Sequence, residues 1–278
     1  MTIIAKVIED SNTEHGKRLT TLQLTYPRFI HAEFMTHRMF SRNASSSRAI
    51  PVAKMIEQVR TNPAMPIHWG KNQPGMQANE QLTGDSLAFT QGYWRAAANM
   101  AADMAEMMNF NGAHKQVANR ILEPFQHIHV VVTATEWDNF MALRDHPDAQ
   151  PEIRELAIQI KTAMAASVPV VRKRERLTAG AWHLPYVTAI ERQVYADQPE
   201  FLAKLSVARC ARVSYLTHDG LTPDVAKDLE LYERLVGSRP LHASPTEHQA
   251  YPLPLATQQS KNFYGWRQNR EIVEISFH

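Results

Sequence analysis

The chain has 278 residues, of which 44% are hydrophobic and 21% are charged, which is typical of a globular protein with one large domain. Its 30 basic and 28 acidic residues give a formal net charge of +2, too balanced for an electrostatic nucleic-acid binder. The single cysteine, Cys210, excludes an intrachain disulfide framework and a cysteine-rich zinc site.

The N-terminal half predicts a strand followed by helices. Residues 19–25 alternate apolar and polar side chains, which indicates a strand that ends at Pro27. Pro51 opens a predicted helix over 52–60, and the proline- and glycine-rich residues 62–82 are predicted to form a loop. Asp85 caps a predicted long helix that ends near Phe110, with a stripe expected to form core or a subunit interface: Leu87, Trp94, Ala97, Ala101, Met104 and Met108.

The rest of the chain mixes strands and helices. Helices are predicted over 114–122, 135–144, the 153–164 region, 198–210 and 223–236, and strands over 127–135 and 271–277. Residues 168–190 have little regular pattern and are interpreted as a connector or flexible lid, with a solvent-exposed charged run at 172–176. Together these elements predict an α+β fold with a mixed sheet and long helices. Because the first ten residues are interrupted by Lys6 and Glu9, and no run reaches about 20 apolar residues, we expect a cytoplasmic protein without membrane partners.

Residues 36–51 carry the most informative pattern of polar side chains. They include three arginines, four serines and Asn43, and they run into the predicted helix N-terminus at Pro51. Arginine binds phosphate in a bidentate way, and free N–H groups at a helix N-terminus favour anions. The segment could therefore hold a phosphate through Ser46, Ser47 and Arg48; taken alone, it is more simply a serine-rich turn that caps a helix.

Several blocks resemble the flavin-dependent thymidylate synthases. His37, Arg38, Ser41, Asn43, Ser46 and Arg48 follow the spacing of that family's signature, whereas Thr36, Ala44 and Ala49 depart from it. Residues 114–124 and 135–154 are similar to two further blocks of the family, in the expected order. The blocks at 211–215 and 242–248 normally precede the signature. A circular permutation of a single domain spanning 1–278, with its junction near 168–195, is the simplest explanation.

The resemblance implies a homotetramer with shared active sites that bind FAD and a pyrimidine deoxynucleoside monophosphate, with methylenetetrahydrofolate and NADPH as co-substrates. By position, Ser46 and Arg144 would be catalytic, and the nucleotide would be bound by Ser46, Ser47, Arg48, Arg120 and Arg144. The cofactor would be bound by His37, Arg38, Ser41, Asn43, Asn139, His242 and Ser244, and Glu247 would orient its segment. No metal is expected. The family uses no protein nucleophile, and Cys210 is interpreted as structural.

Three functions remain open at the level of sequence. The first is conversion of dUMP to dTMP, and the second is hydroxymethylation of dUMP or dCMP on the same scaffold. The third is a nucleotide- or flavin-binding protein without turnover. The departures at Thr36, Ala44 and Ala49 keep the second function open, and retention of all three candidate phosphate arginines argues against the third.

Overall fold

A computed structural model describes residues 3–175, 177–215 and 224–276. Its strands are β1 Ile4–Thr13, β2 Arg18–Pro27, β3 Ser41–Ala44, β4 His127–Ala134, β5 Val170–Arg172, β6 Ala250–Pro252, β7 Gln259–Ser260, β8 Phe263–Tyr264 and β9 Trp266–Gln268. Its α-helices are α1 His31–Phe34, α2 Val52–Thr61, α3 Gly84–Phe110, α4 Lys115–Ala118, α5 Asp138–Arg144, α6 Pro151–Ala166, α7 Ala189–Val194, α8 Pro199–Ala211, α9 Val225–Leu235 and α10 Asn269–Ser276. Short 3-10 helices span Arg28–Ile30, Asn119–Phe125, Ala179–Ala181, Arg212–Tyr215 and Ser244–Glu247.

The main sheet has the strand order β3-β4-β2-β1-β5 among the described residues. The β1–β5 pair is parallel and the other pairs are antiparallel, so the sheet is mixed as predicted. A tight turn joins β1 to β2, and Gly16 adopts a φ of 80° there, a value that residues with a side chain rarely adopt.

The two faces of this sheet pack against different parts of the chain. One face buries Leu22, Leu24 and Val132 against α6, whose apolar stripe includes Ile153 and Ile160. This stripe matches the predicted helical face. The opposite face packs against the last third of the chain, where Leu19 contacts the cluster that contains Trp266. The sheet is therefore the layer that joins the N-terminal two thirds to the C-terminal third.

The second face carries a row of polar residues in its centre. Thr133 on β4 lies directly opposite Thr21 on β2 and Ser41 on β3, and all three are fully buried. Because directly opposed residues share a sheet face, these hydroxyls point into the layer that the C-terminal third covers. A buried polar row of this kind requires hydrogen-bond partners from the covering layer.

The stripe predicted on the long helix is not the main face that packs within the chain. The buried residues of α3 are the alanines Ala98, Ala102 and Ala105, whose small side chains allow close packing against α2. Of the predicted stripe, Ala97 and Met104 are exposed and the remaining members are partly buried. Sequence periodicity located the helix correctly but assigned its packed face to the wrong side, because bulky apolar residues lie on more than one side of the helix.

The predicted C-terminal strand is also wrong. Residues 269–276 form α10, which is stabilised by the pairs Arg267–Glu271 and Arg270–Glu274, each spaced four residues apart. Phe277, the last residue of the predicted strand, lies outside the described residues. Conversely, the sequence predicted no strand at β1, whose apolar residues are interrupted by charges.

The segment over 168–190, predicted to be a connector or flexible lid, is packed in its second half, which favours the connector. Trp182, His183 and Leu184 are buried, and Arg172 and Arg192 both form ion pairs with Glu9 on β1. The interpretation of the charged run as solvent-exposed holds for Lys173 to Glu175 but fails for buried Arg172, and Arg176 lies outside the described residues. Within the described ranges, no helix is both long and apolar enough to span a bilayer.

Candidate active site

β3 connects the predicted signature segment to the C-terminal third. The Ser41 hydroxyl accepts hydrogen bonds from the amides of Gln268 (3.1 Å) and Asn262 (3.1 Å), and Asn262 also donates to the Met39 carbonyl. The Asn43 amide donates to the carbonyl of Cys210 (3.3 Å) at the end of α8. Residues more than 160 positions apart are thereby fixed around one short strand.

The two C-terminal signature blocks lie against the same strand. The 3-10 helices Arg212–Tyr215 and Ser244–Glu247, hereafter the 244–247 turn, both contact β3. Glu247 in this turn forms an ion pair with Arg270. Burial lowers the pKa of the Arg42 guanidinium on β3, and the nearby negative charge of Glu247 partly offsets this effect. His242 and Ser244 are exposed at the edge of the turn.

A second group of predicted residues meets at Arg144, at the end of α5. Arg144 Nε donates to His37 Nε2 (2.9 Å), and its guanidinium forms an ion pair with Glu33. His37 is buried and packs edge-on against Phe140, with 4.9 Å between ring centroids. Burial, reinforced by the positive charges of Arg144 and Arg42, lowers the pKa of His37 to about 4. His37 is therefore neutral near pH 7, and because its Nε2 accepts, its proton lies on Nδ1.

Arg144 and Glu33 lie in the wall of a cavity of about 890 Å³. Its walls combine aromatic and apolar side chains with charged ones, among them Phe29, Glu33, Met76, Trp94, Arg144 and His146. The loop over 62–82 supplies part of the wall. Trp69 in this loop packs edge-on against Trp94 on α3, whereas Met76 is exposed. A cavity of this size and mixed lining is typical of small-molecule sites.

The segment over 46–50 is held by its own turn and by residues of α4 and of the 3-10 helix Asn119–Phe125. The Asn119 amide, which is fully buried, donates to the carbonyls of Ser47 (2.6 Å) and Ile50 (3.0 Å), and Lys115 donates to the Ala49 carbonyl. The Arg48 backbone N–H donates to the Ser46 hydroxyl (3.3 Å), and the Arg48 side chain is exposed. The backbone of this segment is thus rigid while its arginine faces solvent.

A carboxylate joins Ser47 to Arg120. The Ser47 hydroxyl donates to Glu123 Oε1 (2.9 Å), which also pairs with Arg120 (3.0 Å) and Arg28 (3.1 Å). Two guanidinium groups therefore share one carboxylate and retain donors that face solvent. Such an arrangement can accept an additional anion beside Ser47.

The predicted site residues thus fall into three neighbourhoods of one chain. Ser47, Arg120 and the nearby Ser46 and Arg48 form the first, His37 and Arg144 the second, and Ser41 and Asn43 with the 244–247 turn the third. No hydrogen bond or ion pair among the described residues joins Arg144 to Arg48 or Arg120. Five of the predicted cofactor or nucleotide residues are exposed with side chains that make no described contact: Arg38, Arg48, Asn139, His242 and Ser244.

The exposed polar set is chemically suited to FAD. The diphosphate of FAD requires cationic and hydroxyl donors, and Arg38 and Ser244 offer these without a competing internal partner. Exposed Asn139 and His242 can offer hydrogen-bond donors and acceptors to the polar edge of an isoalloxazine ring. Ser41 and Asn43, in contrast, form hydrogen bonds with Gln268 and Cys210, and these bonds join β3 to the C-terminal third of the chain.

Sequence reasoning missed the residues that position these groups. Glu33 and Glu123 set the charge beside Arg144 and Arg120, and Asn119 fixes the 46–50 backbone. Asn119 and Glu123 stand inside the block at 114–124, so their place near Arg120 was a usable signal. Gln268 and Asn262 carry no sequence signal, because their role depends on the C-terminal third lying on β3.

Cys210 is structural, as predicted. It is fully buried on α8, where its sulfur accepts a hydrogen bond from the Gln249 amide (3.6 Å). Burial raises the pKa of this thiol well above its usual range. A buried neutral thiol is a poor nucleophile, so this residue offers no route for covalent activation of a substrate.

Comparison with known proteins identifies one matching family model. Residues 6–170 match the model described as thymidylate synthase complementing protein. Among solved structures, two of a UMP/dUMP methylase, PolB from Streptomyces cacaoi, are similar to the chain at 18% identity and a TM-score of 0.47. They cover 59% of this chain and 88% and 90% of their own, and contain 5-Br UMP and 5-Br dUMP respectively. No curated protein sequence matches the chain.

Proposed function

Because the chain belongs to the thymidylate synthase complementing protein family, we propose that it transfers one carbon unit to C5 of a pyrimidine deoxynucleotide, converting dUMP to dTMP. The family match supports nucleotide C5 methylation in general. The proposal further specifies dUMP as the acceptor, methylenetetrahydrofolate as the carbon donor, NADPH as the reductant and FAD as the cofactor.

One observation carries this proposal. The signature strand β3 is contacted by the 3-10 helix Arg212–Tyr215 and by the 244–247 turn, although these two segments lie outside the region that matches the family model. The signature blocks that are separated in the sequence are therefore neighbours in space. This proximity is what a functional site requires and what a chance resemblance of short motifs would not produce.

The same proximity supports a circularly permuted single domain over 1–278. The C-terminal blocks cover the sheet face that carries Thr21, Thr133 and Ser41, so they complete the layer rather than form a separate unit. The junction would be the segment near 168–195, which crosses from α6 to the covering layer and is fixed to β1 by Glu9. Permutation preserves spatial neighbours while changing chain order.

In this proposal the nucleotide monophosphate is bound by Ser46, Ser47, Arg48 and Arg120, and Arg144 contacts the reacting nucleotide. Arg48 presents a free guanidinium, and Arg120 shares Glu123 with Arg28. Neutral His37 holds Arg144 by accepting from its Nε, which leaves the terminal nitrogens of Arg144 to Glu33 and to a ligand. Ser46 and Arg144 are the proposed catalytic residues.

A homotetramer with shared sites would unite neighbourhoods that are separate within one chain. α3, about 40 Å long at 1.5 Å per residue, exposes a continuous apolar face that includes Phe89, Tyr93, Met100, Met104, Met107 and Phe110. Apolar patches of this extent mark interaction surfaces. A second copy of the chain is the proposed occupant, because an isologous contact along one helix pairs like apolar residues.

When bound, FAD would supply the hydride and one-carbon transfer chemistry that the side chains lack. Arg38, Asn139, His242 and Ser244 would contact it, and Ser41 and Asn43 would hold the strand between them. The chain's own contribution is to orient the nucleotide and to stabilise negative charge through arginines. The buried thiol of Cys210 takes no part.

The test uses the purified full chain. We expect a flavin absorbance, or binding of added FAD, and formation of dTMP from dUMP when methylenetetrahydrofolate and NADPH are present. Product mass distinguishes a methyl group from a hydroxymethyl group, and parallel reactions with dCMP test the alternative acceptor. A hydroxymethylated product would replace the proposed reaction by its alternative, and a chain that binds nucleotide but forms no product would indicate a protein without turnover.

A further inference from the structure

A row of buried hydrogen bonds crosses the sheet from the segment near 168–195 to the 244–247 turn. The His183 ring joins Ser11 Oγ through Nδ1 (2.9 Å) and Thr21 Oγ1 through Nε2 (2.7 Å). The row continues from Thr21 to Thr133 (2.7 Å) and from Thr133 to His248 Nδ1 (2.8 Å). These five side chains are fully buried.

We propose that His183 is a positioning residue for the 244–247 turn, acting through the relay Ser11–His183–Thr21–Thr133–His248. The relay joins three strands of the sheet to the residue that directly follows the turn. Its consequence for FAD rests on the proposed function, because His242 and Ser244 would contact the cofactor. The relay itself stands on its own geometry.

The direction of the relay follows from counting donors and acceptors. Arg172 Nε donates to Ser11 (3.3 Å), so the Ser11 hydroxyl proton is available to His183 Nδ1. His183 then donates from Nε2 to Thr21, and Thr21 donates to Thr133, which donates to His248 Nδ1. The reverse direction would leave two buried groups unpaired among the described contacts, the Ser11 hydroxyl proton and the His248 Nε2 lone pair, whereas the forward direction leaves only the His248 Nε2–H unpaired. The forward direction is therefore favoured.

Both rings are neutral, as this direction requires. Burial, aided by the charges of Arg172 and Arg192, lowers the pKa of His183 well below its usual value, and burial lowers that of His248 to about 3. Each neutral ring has one N–H, so both are fixed as Nε2–H tautomers. The relay ends on the Nε2–H of His248, for which the described part of the chain supplies no acceptor.

Backbone hydrogen bonds also link His183 to Ala250, in the strand that follows the turn. His183 N–H donates to the Ala250 carbonyl (2.8 Å) and Ala250 N–H donates to the His183 carbonyl (3.2 Å), two residues beyond His248. His183 therefore holds the end of the turn by backbone bonds and through the relay together. Two separate sets of hydrogen bonds therefore connect the segment that contains His183 to the residues that follow the turn.

The test compares Thr133→Val and Thr21→Val, which remove relay hydroxyls at nearly constant volume, with Thr20→Val. The control is matched because Thr20 is also fully buried on β2 but donates to Asp10 (3.0 Å) instead of joining the relay. All three variants are expected to lose some stability. Only the relay variants should accelerate amide hydrogen exchange over 243–248, and only they should weaken FAD binding, on the order of fivefold.

Two further measurements test the relay directly. Nitrogen-15 spectra of the histidines in the unmutated chain should show His183 and His248 as Nε2–H tautomers. An Nδ1–H tautomer at His183 with an Nε2–H tautomer at His248 would leave no proton for the Thr21–Thr133 bond and would overturn the relay. In a double-mutant cycle, His183→Gln and Thr133→Val should be non-additive for exchange over 243–248, and additive effects would overturn it. If the unmutated chain binds no FAD, the proposed function fails, while the spectra and exchange rates still test the relay.

Discussion

Arg144 and His37, which are 107 residues apart in the chain, form a 2.9 Å hydrogen bond in which the guanidinium donates and the imidazole accepts. The sequence assigned these residues to different ligands, Arg144 to the nucleotide and His37 to the cofactor. Their contact makes each dependent on the other, since a protonated His37 could no longer accept from Arg144. The bond therefore connects the charge state of one proposed subsite to the geometry of the other.

Replacing Arg144 should raise the pKa of His37. In Arg144→Gln the neighbouring positive charge is lost, so the pKa of His37 should rise from about 4 but remain below 6.5, because burial is the larger cause of its depression. A nuclear magnetic resonance titration of the His37 ring measures this change. Arg38→Gln is the matched control: Arg38 is adjacent to His37 but exposed, so its loss should leave the titration nearly unchanged. A pKa of about 4 retained in Arg144→Gln would contradict the assigned contact.

Arg48→Ala should weaken nucleotide binding far more than flavin binding. The Arg48 side chain is exposed and makes no described contact, so its removal should not disturb the fold. Loss of a charge-assisted phosphate contact should raise the Kd for dUMP by about tenfold or more. Isothermal titration with dUMP and with FAD separates the two effects, and Arg174→Ala, another exposed arginine, is the control. Equal losses for both ligands would show that the segment is not specific to the nucleotide.

A charge on the exposed face of α3 should disrupt the proposed oligomer. Met104 is 51% exposed at the centre of this apolar face, and Met104→Glu would place a carboxylate in the contact between copies. We expect dissociation to smaller species, measured by analytical ultracentrifugation, because burying an unpaired charge costs several kcal/mol. Val194→Glu, at a similarly exposed apolar residue on α7, should leave the assembly unchanged. If the unmutated chain is a monomer, the α3 interface is wrong.

The free energy of unfolding should fall as the pH drops from about 6.5 to about 4. Burial lowers the pKa of His31, His37 and His127 to about 4, against about 6.5 in an unfolded chain. In this window the unfolded chain binds more protons than the folded one, so acid favours unfolding by about 1.4 kcal/mol per pH unit for each such histidine. Below pH 4 these three groups are protonated in both states and add no further slope.

Urea unfolding followed between pH 8 and pH 4 measures this dependence. His127→Gln should reduce the slope by about one proton, because it removes one buried neutral imidazole. His146→Gln replaces a histidine whose side chain is 55% exposed and is the matched control. A midpoint that does not change between pH 7 and pH 5 would show that the buried histidines titrate alike in both states.

The sequence by itself determined the family, the mixed α+β class and the candidate residues, because these depend on local spacing and periodicity. The signature from His37 to Arg48 could be aligned without knowing where its side chains point, and the alternation of apolar and polar residues over 19–25 indicated a strand of the sheet. Periodicity did not predict features that depend on contacts with other parts of the chain. The packed face of α3 is set by three alanines against α2, and α10 buries Val273 in a cluster with Val207 on α8 and Val236 at the end of α9.

Only the tertiary structure decided which candidates meet and what holds them. The bond from Arg144 to His37, the sharing of Glu123 by Ser47 and Arg120, and the relay from His183 to His248 all join residues from separate elements. A chain-local pattern carries no information about such contacts, because they arise when the C-terminal third covers the polar face of the sheet. Burial on that face supplies the physical reason: each hydroxyl and imidazole there had to find a partner from another segment.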